Sequence, residues 1–133
     1  MSIEDTKLFY EQTASSDLCQ CSYCRNYMKE IKKTYPFVAE YLEKLGINVE
    51  KPFETMPLEP DENGYIEYVA QYIVMGDSGD FHKTVISDVT IDFAQSSPST
   101  TVNEPHFVIE LYPVILKWKE QGESSPKRLK GKL

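Results

Sequence analysis

All three cysteines of the chain fall within one short stretch, Cys19-Gln20-Cys21-Ser22-Tyr23-Cys24. Thiols this few and this local cannot staple a fold together, and clustered cysteines in a reducing compartment act as metal ligands or redox groups. Cys21 and Cys24 have the spacing of half a zinc site and Cys19 offers a third sulfur, yet a closed zinc site takes four donors. The fourth would come from His82, His106 or a carboxylate. His82 is taken as the candidate, so the metal set expected from sequence is Cys19, Cys21, Cys24 and His82, with zinc as the ion.

Two other readings of the same residues stand beside this one. Cys21 and Cys24 near a helix N-terminus would form a redox dithiol, since the helix dipole favours the thiolate. Thioredoxin-like enzymes, however, place such a pair after a β-strand, and no strand pattern precedes Cys19. In the third reading Cys24 packs in the core as a small hydrophobe, while Cys19 and Cys21 are incidental or form a local bridge under oxidation. Elsewhere there is no glycine-rich phosphate loop, no nucleophile elbow and no His-Glu-x-x-His. No catalytic set and no cofactor motif are therefore expected. Asp77 and Asp80 among Gly76 and Gly79 lack the twelve-residue calcium pattern and read as a turn.

The elements that position the thiols follow from periodicity. Asp17 is a candidate helix cap, and Cys24, Tyr27, Met28, Ile31 and Tyr35 recur at three and four residues, one apolar stripe. Arg25, Lys29, Lys32 and Lys33 form a basic ridge beside it. Pro36 ends that helix and opens a second, with Phe37, Val38, Tyr41, Leu42 and Leu45 apolar and Gly46 as the left-handed cap. Pro52, Pro57 and Pro60 mark an extended connector with a short strand around Thr55 to Leu58. Tyr65 to Met75 and Phe81 to Phe93 read as two arms of a hairpin around Gly76–Asp80. In the second arm Phe81, Val85, Val89, Ile91 and Phe93 share the core parity, with Ile86 breaking the pattern on the polar side. After a Ser/Thr/Pro loop, Pro105 to Tyr112 is a further strand that Pro113 ends or kinks, and Val114 to Trp118 is apolar without a clear type. The fold class expected is α+β: an N-terminal helical hairpin packed on an antiparallel sheet of about four strands.

At 133 residues the chain is large enough for one domain with its own core. Residues 1–119 are read as that domain and 120–133 as a basic, disordered tail carrying Lys127, Arg128, Lys130 and Lys132. The net charge of −7 works against generic binding to nucleic acid or anionic membrane. No apolar stretch approaches the roughly 20 residues that span a bilayer. With no leader pattern at the N-terminus, a cytoplasmic location is expected.

The segments Cys21-Ser22-Tyr23-Cys24-Arg25-Asn26-Tyr27, Leu45-Gly46-Ile47 through Lys51-Pro52, the tyrosine-rich strand, and Phe107-x-Ile109-Glu110-Leu111-x-Pro113 resemble a group of small bacterial proteins of uncharacterised function. In that group a Cys-x-x-Cys-x-Asn-Tyr helix precedes a Leu-Gly-Ile connector ending in Lys-Pro and a C-terminal sheet. The resemblance implies a single α+β domain and no particular activity. Two classes of function remain open. The first is a non-enzymatic binding or interaction protein, immunity-like or stress-associated, whose acidic body suits a basic protein partner. The second is a metal-binding or thiol-redox protein built on Cys19, Cys21 and Cys24.

Overall fold

The structure, a computed structural model, describes residues 1–95 and 100–120. Helix α1 (Ile3–Gln12) and a 3-10 turn (Ser15–Asp17) precede α2 (Ser22–Thr34) and α3 (Pro36–Lys44). Strands β1 (Glu54–Pro57), β2 (Tyr65–Met75), β3 (Thr84–Ile86), β4 (Val89–Phe93) and β5 (His106–Lys117) come next, forming one sheet in the order β1-β2-β5-β4-β3. Every pairing is antiparallel. The α+β class is as expected, with five strands in place of about four.

Helices cover one face of the sheet. Ile66, Tyr68, Ala70, Tyr72 and Val74 of β2 alternate towards them, as do Ile109, Leu111, Val114 and Leu116 of β5, and all are buried with Tyr27, Ile31, Val38 and Leu42 of α2 and α3. The β5 set changes from odd to even numbers because the register shifts between Tyr68 and Ala70: Tyr68 opposes Val114 while Ala70 opposes Leu111. One extra residue of β5 is thus absorbed as a bulge where the cis Tyr112–Pro113 bond lies. Pro113 therefore neither ends the strand nor interrupts its core face, and Val114 to Lys117 continue it.

The expected hairpin between Tyr65–Met75 and Phe81–Phe93 does not form. β2 pairs with β1 and β5, and the second arm folds on itself as β3 and β4 around Ser87 and Asp88, both at positive φ (53° and 66°). Such a two-residue turn reverses the chain and resets its parity. Ile86 consequently lies opposite Val89 on the core side, and Val85, expected in the core, is exposed.

The N-terminal helix was not expected, and it joins the sheet mainly through hydrogen bonds. Beyond Gln71, no strand of the described residues lies along the β1 side of β2, and α1 occupies that edge. The Tyr10 hydroxyl accepts from the Ile73 amide (3.0 Å) and donates to the Ile73 carbonyl (2.8 Å). Thr6 Oγ1 accepts from the Met75 amide (2.9 Å), and the Ser2 amide donates to the Met75 carbonyl (2.8 Å). Gly46 ends α3 at φ 89°, where the Ile3 carbonyl of α1 occupies the space a Cβ would need.

Helix α2 is also anchored through polar groups. Asn26, fully buried, donates to the Lys117 carbonyl (2.9 Å) and accepts from the Lys119 amide (2.8 Å). The Tyr72 hydroxyl donates to the Val49 carbonyl (2.6 Å), so in its 2.7 Å contact with Tyr27 the proton comes from Tyr27. Three of the four cations of the basic ridge are paired: Arg25 and Lys29 both bind the carboxylate of Glu120 (3.1 and 2.9 Å), which is buried, and Lys33 binds Glu30 (3.2 Å). Glu120 therefore belongs with the packed domain, while residues 121–133 of the expected tail lie outside the described residues.

Tyr10→Phe should cost about 1–3 kcal/mol, because it strips the partner from both backbone groups of Ile73. Urea denaturation beside the half-buried Tyr41→Phe, expected within about 0.5 kcal/mol of the parent, measures it. Lys29 first, and then Arg25, hold the Glu120 carboxyl below the ordinary glutamate range against the opposing effect of burial. A carboxyl lowered on folding stabilises fully above its unfolded pKa, and that contribution fades as pH falls through the folded value. The melting temperature of Glu120→Gln should lie below the parent's at neutral pH and converge with it in acid; a pH-independent gap would exclude this linkage.

Candidate thiol site

The three thiols meet where α2 begins. Cys21, in extended conformation, is the N-cap of α2: its Sγ accepts from the Cys24 amide (3.5 Å) and its carbonyl from the Arg25 amide (2.9 Å). Sulfur here takes the place usually held by a serine, threonine, aspartate or asparagine oxygen. The sequence expectation of a cap at Asp17 is thus corrected: Asp17 closes the preceding turn, its carboxylate accepting from the Ala14 amide. The helix starts four residues later because the cap is a cysteine. Cys19 lies in the intervening extended stretch, its Sγ 3.3 Å from that of Cys21.

All three sulfurs lie within 4.8 Å of one another. Each also faces a proton donor. The Cys21 amide serves Cys19, the Cys24 amide serves Cys21, and the Thr55 hydroxyl of β1 lies 3.3 Å from the Cys24 sulfur. Thr55 points to the helix side because it pairs with Ala70, which belongs to the buried row of β2. Such donors stabilise anionic sulfur in the way outer-shell groups do around metal-bound thiolates.

The cysteines differ in environment. Cys19 and Cys21 are exposed and Cys24 is half-buried. The Cys19 thiol is lowered, first by the Cys21 amide and then by the neighbouring sulfurs, with weaker opposition from burial and from the negative charge of Glu54. Burial pushes the Cys24 thiol up to about 12, with the Thr55 hydrogen bond working against it. A cavity of about 280 Å³ opens beside Cys19 and Cys24, lined by Leu18, Met28, Phe53 and Glu54. Cys19 also borders a second, larger space between α1 and the β4–β5 connection.

Neither histidine joins the cluster. Among the described residues the group of ligand atoms within that radius comprises the three cysteines alone, and His82 is not part of it. The exposed His82 ring contacts the Asp80 carbonyl (3.1 Å), and both nitrogens of His106 are engaged, by Thr100 (2.7 Å) and Glu104 (2.8 Å). Thr55 and Glu54 are the site residues that sequence reading missed. A short strand around Thr55 was legible, but nothing local ties it to a helix 31 residues earlier. Comparison with protein-family models, curated proteins and solved structures returns no match, so the chemistry is read from this geometry.

Brief alkylation of the metal-free, reduced protein with iodoacetamide at neutral pH should label Cys19 first and Cys24 last, as read by peptide mass spectrometry. Equal labelling of Cys24 would mean that burial against Thr55 does not hold its proton.

Proposed function

We propose that the chain is a metal-thiolate protein in which Cys19, Cys21 and Cys24 hold one thiophilic divalent ion, with zinc the best match. The observation that carries this reading is the convergence of three sulfurs, each opposite an N–H or O–H donor, within 4.8 Å. Zinc–thiolate bonds of about 2.3 Å set neighbouring sulfurs about 3.8 Å apart in a tetrahedron, so small side-chain rotations suffice to seat the ion. The buried core and hydrogen-bonded helices make the fold independent of that ion. Its role is then a local clamp or a chemical centre.

The interaction reading draws on a different surface, the sheet face that no helix of the described residues covers. Met56 and Ile115 are exposed there beside Glu67, which lies opposite Ile115, an apolar and acidic patch suited to a basic protein, while Val85 is exposed on the far edge strand β3. The two readings are separable because alanine at Cys21 and Cys24 leaves that face intact.

Protein purified without added metal should carry about one zinc per chain by elemental mass spectrometry. Cys21→Ser and Cys24→Ser should each lose it while keeping the far-ultraviolet dichroism of the parent. A metal-free protein that also fails to compete with a chromophoric zinc chelator would end the proposal.

A further inference from the structure

Three sulfurs leave a zinc ion one ligand short, and the surroundings of the cluster narrow the choice of the fourth. His82 and His106 are engaged with Asp80, Thr100 and Glu104. Glu120 is bound by Arg25 and Lys29, and Glu30 by Lys33 and Lys119. Glu54 is different. It is exposed, its carboxylate makes no hydrogen bond or ion pair among the described residues, and it lines the same cavity as Cys19 and Cys24, although like His82 it lies outside the 4.8 Å group of the three sulfurs, so that its side chain must swing in to reach an ion. It is also the residue next to Thr55, which already touches the Cys24 sulfur.

We propose that Glu54 is the fourth ligand, so that the start of β1 closes a Cys19, Cys21, Cys24, Glu54 site, an inference that rests on the metal-thiolate reading. A divalent cation seated in the cavity that Glu54 shares with Cys19 and Cys24 would be attracted by the carboxylate and by the thiolates alike. Three thiolates and a carboxylate carry the same total charge as the four thiolates of an ordinary structural zinc site. An oxygen donor also steers the site away from copper(I), which prefers an all-sulfur set, towards zinc and cobalt(II). The ion would then tie the extended stretch before α2 to the edge strand of the sheet.

Cobalt(II) provides the spectroscopic probe and zinc competition the affinity, both on the full chain. The parent should show sulfur-to-cobalt charge transfer together with the intense visible bands of four-coordinate cobalt. Glu54→Ala should keep the charge transfer, shift the visible bands and weaken zinc binding by at least the roughly tenfold that loss of even an outer-shell partner costs. Glu54→His should restore both, and His82→Ala should match the parent. Glu54 is exposed at a strand start, so an unchanged urea midpoint for Glu54→Ala will confirm that folding is not the cause. An unaltered cobalt spectrum and zinc affinity in Glu54→Ala, or a loss in His82→Ala instead, would overturn the assignment of Glu54 while leaving the three-thiolate site standing. A parent that binds neither ion would overturn the metal-thiolate reading itself.

Discussion

The outer edge of β2 is the constraint on which the remaining architecture depends. A central strand buried on its helix side cannot leave its backbone groups unpaired. β1 covers only Tyr68 to Gln71, and the exposed remainder at Ile73 and Met75 is closed by hydroxyls and one amide of the N-terminal segment. This explains why α1 is weakly apolar: Thr6 and Tyr10 are its buried residues, while Ile3 and Leu8 face outward. Its attachment comes from completing a hydrogen-bond ladder rather than from burying a stripe. The far end of α1 is held by the same logic, with the Lys51 ammonium donating to the carbonyls of Tyr10 and Thr13 (2.8 and 2.7 Å).

Placing α1 on that edge determines the path of the chain beyond it. The backbone must travel from the end of α1 to the start of α2, on the helix-covered face, within the few residues from Thr13 to Cys21. That path carries Leu18 and Cys19 past Phe53 and Glu54 at the start of β1. The position of α2 is set independently by Asn26, Tyr27 and the Tyr68 hydroxyl, which donates to the Tyr23 carbonyl (2.6 Å). Two separately anchored helices thus bring their connecting stretch and the first turn of α2 to one point, so the convergence of the sulfurs does not depend on flexible loops.

Local structure was legible in the sequence where apolar periodicity, a proline or a glycine decided it. The stripe through Tyr27 and Ile31, the break at Pro36 and the Gly46 cap all appear as expected, because each follows from periodicity or from one backbone angle. Cys24 is a partial exception, half-buried because it meets Thr55 at the sheet margin rather than the core. The errors fall where a local signal is atypical, as at the cysteine cap of α2, or where distant segments compete. Ser87-Asp88 lacks the glycine or asparagine that normally marks a tight hairpin turn, so the reset of parity before Val89 was invisible. The helical pattern of Ile3 to Gln12 is weak because its partner is a strand edge 63 to 73 residues away in sequence. The partner of Arg25 and Lys29 was not legible because Glu120 comes from the opposite end of the domain.

The candidate site divides in the same way. Its sulfurs lie within six residues and were readable at once, whereas Thr55 and Glu54 come beside them only through the pairing of β1 with β2. Thr55 opposite Ala70 and Glu54 opposite Gln71 place consecutive side chains on the two sides of an edge strand. Thr55 thereby meets the Cys24 sulfur, and Glu54 borders the cavity beside Cys19 and Cys24. A slip of one residue in this register would turn Thr55 away from Cys24 and place Glu54 on the helix side. The register is restrained by the Phe53 amide, which donates to the Gln71 carbonyl (2.8 Å), and by α1, which occupies the edge immediately beyond and leaves β1 no room to extend. The N-terminal helix, though it contributes no thiol, therefore fixes which side chains of β1 the thiols meet.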